Sequence, residues 1–254
     1  MMAEGTVGQA LGSMMSAGRK LTASPTTVLV GLLIYLLMLG AIFLFLTTRE
    51  SSLWQILLGL VVSPLLAVLL FFLGQAFALQ SIRTGIETSY KLRRAVIDCS
   101  RIITATLPLI VLMVITIYLH DLAADWFEME SEYRWVLPLL WLKRVLFWLI
   151  YPLLAIHLWI VAVRDGAAVA VRSMPQVARQ AFEPGSIVIY LVVAGTYGII
   201  AWLLFQTRPA IEREWLELIL FAVRMGLALL TIFLGWFLLL GGMAEWTARH
   251  ELGE

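Results

Sequence analysis

The stretch WVLPLLWLKRVLFWLIYPLLAIHLWIVAVR, from Trp135 to Arg164, decides the class of this protein. It carries the basic pair Lys143-Arg144 near one end and His157 deep inside an apolar run. Between them and Arg164, residues 145–163 hold no charged side chain. About 20 helical residues cross the hydrocarbon core of a bilayer. The stretch therefore predicts a membrane span whose outer end is anchored by the basic pair.

Composition extends this conclusion to the whole chain. Hydrophobic residues make up 61% of the 254 positions and charged residues 14%, whereas soluble domains contain roughly 45–50% apolar and about 25% charged residues. The net charge of +1 gives no general attraction to nucleic acid. The single cysteine, Cys99, excludes an intrachain disulfide and a multi-cysteine metal site. We expect the lipid bilayer as the main environment and no nucleic-acid partner.

Five further apolar runs have the length of a membrane span. The predicted spans are 26–46, 53–79, 102–119, 145–163, 185–205 and 216–240. No small-residue cleavage site closes the first run, so we expect it to remain as a span and not to be removed as a signal peptide. Segments 5–22, 81–101 and 164–184 favour short interfacial helices on the cytoplasmic side. The sequence predicts an all-α polytopic integral membrane protein, with residues 1–254 in a single transmembrane domain.

The six transmembrane helices are predicted to form three hairpins. Three times, a basic segment leads into a pair of spans, near Arg19, Arg101 and Arg179, as in a weak internal repeat. Ser63-Pro64 predicts a bend in the second span, because proline frees a helix carbonyl that a neighbouring serine can satisfy. Gly195 and Gly198 predict a close contact between the fifth span and another helix.

The basic residues predict the orientation of the chain. Eleven of them fall on the side of the two termini, six on the other side, and Arg224 lies within a span. The eleven are Arg19, Lys20, Arg83, Lys91, Arg93, Arg94, Arg101, Arg164, Arg172, Arg179 and Arg249. Because cytoplasmic loops carry the excess of lysine and arginine, both termini are predicted in the cytoplasm of a bacterial inner membrane. The acidic segment 120–134 is then an external loop.

His157 is the first candidate for a ligand-binding residue. At 100° per residue, the side chains of Trp141, Trp148 and Trp159 project within about 20° of the direction opposite His157. Tryptophan favours lipid-facing surfaces at the headgroup level. The three tryptophans are therefore predicted to face lipid, and His157 is predicted to face the protein interior.

A buried neutral imidazole allows two interpretations of His157. It can bind a haem iron or a chlorophyll magnesium, or it can form a hydrogen bond to a serine, threonine, glutamine or carbonyl group of a neighbouring helix. A bis-histidine haem would need a second buried histidine, and His120 lies about 15–20 Å away in depth. No cofactor and no metal site are predicted, with haem or chlorophyll at His157 left as the alternative.

Gln75 and Arg224 are the other candidate ligand-binding residues. Gln75 lies within the second span, where it can bond across to another helix. An arginine at the centre of a bilayer costs at least about 2.5–3.5 kcal/mol, which makes Arg224 a functional candidate. Glu217 lies seven residues earlier on the same helix face, so the arginine can extend outward to that carboxylate or to lipid headgroups.

Function is constrained mainly by what the sequence lacks. It contains no HExxH motif, no phosphate-binding loop and no dinucleotide fingerprint. No catalytic residue is predicted, and we expect a non-enzymatic structural or accessory subunit of a larger membrane complex, with other membrane protein subunits as partners. One alternative is a small transporter or permease component, in which His157, Gln75 and Arg224 converge on a mid-membrane cavity. The other is a pigment- or haem-binding subunit that uses His157.

Overall fold

The computed structural model describes residues 2–48, 52–83, 86–129, 136–207 and 213–251, which are helical apart from short connections. In chain order the helices are α1 (Met2–Thr22), α2 (Pro25–Thr47), α3 (Leu53–Ser81), α4 (Thr88–Met129), α5 (136–165), α6 (Ala167–Arg172), α7 (Met174–Ala181), α8 (Pro184–Gln206) and α9 (Glu214–Glu251). Six of these helices, α2, α3, α4, α5, α8 and α9, are long and apolar enough to cross a membrane. The predicted all-α polytopic membrane fold is confirmed.

Helix α4 differs most from its predicted boundaries. The sequence predicts an interfacial segment at 81–101 followed by a span at 102–119, but α4 is one helix of 42 residues. At 1.5 Å per residue it is about 60 Å long, twice the roughly 30 Å thickness of the hydrocarbon core. Residues 88–107 contain no glycine or proline that would end a helix. The acidic segment 120–134 is helical as far as Met129, and residues 130–135 lie outside the described residues.

Helix α9 also continues past its predicted end at residue 240, to Glu251. Here it packs against α1. A Cβ added at Gly241 would lie 3.1 Å from the Cβ of Ala17, so the two helices approach closely. Lys20 forms an ion pair with Glu245 beside this contact. The face of α1 that is fully buried consists of Ala10, Ser13 and Ala17.

The described residues form two compact units. Unit 1 contains residues up to Val96 together with those from Pro184 onward, which include α1, α2, α3, the start of α4, α8 and α9. Unit 2 is Ile97–Glu183 and contains the rest of α4 with α5, α6 and α7. A single transmembrane domain stays a prediction.

The close helix contacts of unit 1 occur at other glycines than the predicted ones. A Cβ added at Gly195 or Gly198 would meet no described atom within 4 Å, so the described part of the chain makes no close contact at either position. In contrast, a Cβ at Gly185 would lie 2.0 Å from the ring of Trp246. A Cβ at Gly235 would lie 2.6 Å from the Cβ of Tyr197. Helices α8 and α9 therefore approach each other closely at two levels.

In unit 2, the predicted interfacial segment 164–184 consists largely of two short helices, α6 and α7, packed against α5. Gly166 lies between α5 and α6 and has a φ of 95°, a backbone conformation that residues other than glycine rarely adopt. Arg172 and Arg179 are exposed on the outer faces of α6 and α7. The buried cluster of this unit consists of Ala105, Leu158, Val161, Ala162, Ala170 and Val177.

Helices α3 and α5 each contain a π-helical turn that ends directly before a residue followed by proline. Leu57–Val62 precedes Ser63-Pro64, and Leu146–Ile150 precedes Tyr151-Pro152. The N–H groups of Ser63 and Tyr151 donate to the carbonyl five residues earlier, whereas an α-helix uses the carbonyl four residues earlier. Such a turn accommodates one extra residue, so side chains before and after it lose the phase of a regular α-helix.

Candidate functional site

Helices α2, α3 and α9 line an apolar cavity of about 240 Å³ in unit 1, called here the unit-1 cavity. Each helix contributes four residues. Their spacing of one, three or four positions places them on one face of the helix. They are Gly31, Ile34, Tyr35 and Met38, then Leu70, Phe71, Gly74 and Gln75, then Ile232, Phe233, Trp236 and Phe237. Gly31 is required for this arrangement, because a Cβ there would lie 2.4 Å from the ring of Phe237.

Gln75 supplies the main polar group of the unit-1 cavity. Its side chain is buried, and its Oε1 accepts a hydrogen bond from Nε1 of Trp236 on α9. The predicted bond from Gln75 to another helix is therefore present. The donor Trp236 fixes which end of the amide is oxygen, and the two Nε2 protons have no acceptor among the described residues. The cavity thus combines apolar walls with one unused pair of hydrogen-bond donors.

Arg224 has different partners from the predicted one. Its Nε and Nη2 donate to the carbonyl oxygen of Leu204 at 3.1 and 2.7 Å, and Nη2 lies 3.5 Å from the carbonyl of Phe205. Carbonyls in the last turn of a helix have no helical N–H partner and form the negative end of its dipole. Arg224 therefore caps the C-terminal end of α8, and no ion pair with Glu217 is present among the described residues.

Of the three residues predicted for a transporter site, only Gln75 lines the unit-1 cavity. Arg224 precedes Trp236 by twelve residues on α9, which corresponds to about 18 Å along the helix axis. His157 belongs to unit 2.

His157 faces the protein interior, as predicted, with 1% of the residue exposed. The predicted hydrogen bond is not found: neither Nδ1 nor Nε2 has a partner among the described residues. Within the described part of the chain, no group of three or more histidine, cysteine, aspartate or glutamate residues could hold a metal ion. A pigment role for His157 stays a prediction.

The tryptophan pattern used to orient His157 is wrong at one of its three positions. Trp141 and Trp148 are 56% and 76% exposed, as expected for lipid-facing side chains, but Trp159 is only 4% exposed. Its Nε1 donates to Oγ1 of Thr106 at 2.9 Å. Every residue from Ala155 to Val163 is buried, so α5 is covered on all sides at this level and the side opposite His157 is not open to lipid.

A polar cluster that the sequence did not reveal connects α4 to α5 in unit 2. Nδ1 of His120 lies 2.9 Å from Oδ1 of Asp121, and Nζ of Lys143 donates to the same oxygen at 3.3 Å. The hydroxyls of Thr116 and Tyr151 form a further hydrogen bond between these helices. The basic anchor predicted at Lys143-Arg144 thus also contributes to packing within the protein.

Replacing His157 by leucine is expected to preserve or raise the thermal stability of the protein. The substitution removes two buried ring nitrogens without partners, and an unsatisfied buried polar group costs about 1–3 kcal/mol. We expect the absorption spectrum of the purified wild type to lack a Soret or chlorophyll band. A band in the wild type that disappears in His157→Leu would contradict this expectation and assign the imidazole to a pigment.

Together these features define an all-α multi-pass membrane protein with an apolar cavity in one unit and a buried, unpaired histidine in the other. Comparisons with protein-family models, curated proteins and solved structures give no match. Function is therefore inferred from the geometry of the chain itself.

Proposed function

We propose that this protein is a non-enzymatic subunit of a larger membrane assembly in a bacterial inner membrane, with both termini in the cytoplasm. The orientation is supported by the excess of basic residues on the side of the termini. The observation that carries the proposal is the small share of the spans that the chain itself covers. In α2, α3, α4, α8 and α9, only 17–22% of the most apolar window is buried, against 56% in α5.

This low burial leaves most helix faces open to other membrane components. A helix stripe that faces a core is at least about 100° wide, which is more than a quarter of the circumference. Five spans therefore have less than one such stripe buried by this chain. Helices in lipid associate through close packing, and small residues at the contact allow their backbones to approach. Uncovered helix faces with glycines are suited to such contacts.

Glycines of this kind are present on three of the five spans. An added Cβ would meet no described atom within 4 Å at Gly40 on α2, at Gly195 and Gly198 on α8, and at Gly226 on α9. Each position therefore offers space for a partner helix. A larger side chain can also be placed there without disturbing the packing of the protein itself, which makes these glycines useful for an experiment.

Affinity purification in a mild detergent, at native expression level, tests the proposal. We expect one or more membrane proteins to co-purify in fixed stoichiometry. Leucine introduced singly at Gly40, Gly195, Gly198 and Gly226 is expected to release the partner in at least one variant, because a bulky side chain prevents close helix contact. The melting temperature of each purified variant serves as the folding control. A wild-type protein that purifies as a monomer without partners would overturn the proposal.

The transporter alternative receives no separate support from the geometry. It requires polar side chains at one mid-membrane site, and Gln75 and Arg224 are engaged with different partners in unit 1. The walls of the unit-1 cavity contain no charged residue that could bind an ion or a charged solute.

A further inference from the structure

We propose that the unit-1 cavity binds an apolar chain molecule that carries a carbonyl group, and that the Nε2 group of Gln75 donates a hydrogen bond to this carbonyl. The inference concerns a ligand and does not depend on the proposed role as a subunit. It rests on the size of the cavity, on the chemistry of its walls and on the position of its polar group near one end of α3.

The size of the cavity fits a short length of alkyl or prenyl chain, or a single ring. A 150 Å³ apolar cavity binds benzene, so the 240 Å³ of the unit-1 cavity corresponds to about nine or ten non-hydrogen atoms. Rings form much of the wall: the centroids of Tyr35 and Phe233 lie 5.6 Å apart, and those of Phe233 and Phe237 4.5 Å apart. Such walls favour apolar groups and contain no residue that would stabilise a charged ligand.

The polar group of the cavity selects a hydrogen-bond acceptor. Gln75 is 4% exposed, its oxygen accepts from Trp236, and its two Nε2 protons have no acceptor among the described residues. The hydroxyl of Tyr35 is the other polar side-chain group in the wall, and no hydrogen bond to a described residue is assigned to it. A carbonyl oxygen accepts and does not donate, so it matches these donors. The proposed ligand is therefore a carbonyl compound with an apolar remainder.

The position of Gln75 along its helix matches the polarity of a membrane lipid. Gln75 lies six residues before the end of α3 at Ser81, about 9 Å from that end. Leu70, five residues earlier, lines the part of the cavity nearer the middle of the span. The donor thus lies toward the membrane surface and the apolar walls toward the bilayer centre, which is also how a carbonyl-bearing lipid is oriented.

Two sources share this chemistry: a glycerolipid with its ester carbonyls, and an isoprenoid quinone with its ring carbonyls. Solvent extraction of the purified full-length protein, followed by mass spectrometry, distinguishes them by mass. We expect about one equivalent of either class to co-purify with the wild type. Copurifying amounts no greater than those of a control membrane protein in the same detergent would overturn the proposal.

Three substitutions connect binding to the cavity. Gly74→Leu places its side chain in the cavity, since a Cβ there lies 3.7 Å from Cγ2 of Ile34 and is sterically allowed. Gly8→Leu on α1 is the control, because its side chain extends into open space and Gly8 is not among the glycines proposed for partner contact. We expect at least a tenfold loss of bound ligand in Gly74→Leu and none in Gly8→Leu. Equal retention in both variants would contradict the assignment of the ligand to this cavity.

Gln75→Leu tests the hydrogen bond with little change in side-chain volume. Methyl decanoate, a decyl-substituted benzoquinone and undecane serve as probes in detergent-solubilised protein. We expect the variant to bind the ester or the quinone about tenfold more weakly and to bind undecane as the wild type does. Unchanged binding of both carbonyl probes would overturn the role of Gln75. Probe binding to Gln75→Leu also tests the proposal if Gly74→Leu does not fold.

Discussion

Gly185→Ala is expected to lower the melting temperature of the protein, whereas Gly195→Ala on the same helix is expected to leave it unchanged or raise it slightly. A Cβ at Gly185 would lie 2.0 Å from Cζ2 of Trp246, which is shorter than any non-bonded contact. Trp246 is 2% exposed, so its ring has little space into which it can move. Overpacking of this kind costs about 1–3 kcal/mol, occasionally more.

The comparison with Gly195 separates packing from helix propensity. Alanine is a better helix former than glycine by about 1 kcal/mol, so propensity alone would make both variants more stable. At Gly195 nothing lies within 4 Å of the added methyl group, and only propensity acts. Thermal unfolding of both variants in the same detergent measures the difference. Equal melting temperatures would show that α8 and α9 are not packed as closely as the structure has them.

Trp159→Ala is expected to destabilise the protein far more than Trp148→Ala does. Trp159 is 4% exposed and donates to Thr106 across the interface between α5 and α4. Truncating a buried tryptophan to alanine costs about 3–5 kcal/mol, because a large cavity remains. Trp148 is 76% exposed, and we expect its substitution to change the stability by about 0.5 kcal/mol or less, as at surface sites.

Unfolding in a denaturing detergent, followed by circular dichroism, measures both variants on one scale. Trp159→Phe is a further control, because it retains most of the ring volume and removes only the hydrogen bond to Thr106. The stability of Trp159→Phe is expected to lie between those of the wild type and Trp159→Ala, since a typical hydrogen bond contributes about 0.5–1.5 kcal/mol. Similar losses in Trp148→Ala and Trp159→Ala would restore the interpretation in which both side chains face lipid.

The spans were predictable because length and apolar composition alone decide whether a helix can cross a bilayer. Where helices end was less predictable. The change from charged to apolar residues near Arg101 marks a membrane surface but not a helix end, so the continuity of residues 88–119 within α4 could not be foreseen. The same reason explains why α9 extends beyond residue 240, where contact with α1 supports it.

Side-chain orientation was predictable only where a helix keeps one side open to lipid. His157 is buried as its helical spacing predicted, but Trp159 is buried as well, because every residue from Ala155 to Val163 is covered. The π-helical turn at Leu146–Ile150 had a sequence signal in Pro152, since helices commonly deviate from α geometry near proline. Ser63-Pro64 repeats the pattern in α3, again directly after a π-helical turn.

The candidate site depends on which helices are neighbours, and this information is not local in the sequence. Gln75 was identified as a polar group able to bond to another helix, but its partner Trp236 lies 161 positions away along the chain. Arg224 was identified as an unusual intramembrane residue, yet its nearest carboxylate in sequence, Glu217, is not its partner. The unit-1 cavity was missed altogether, because three separate apolar faces form it.

The capping of α8 by Arg224 also has a consequence for how the chain enters the membrane. A guanidinium group that moves into lipid alone is costly to transfer. Here the orphan carbonyls of Leu204 and Phe205 become available only when α8 is already beside α9. We therefore expect α8 and α9 to enter the bilayer more favourably together than one after the other, because the guanidinium of α9 then meets the carbonyl end of α8.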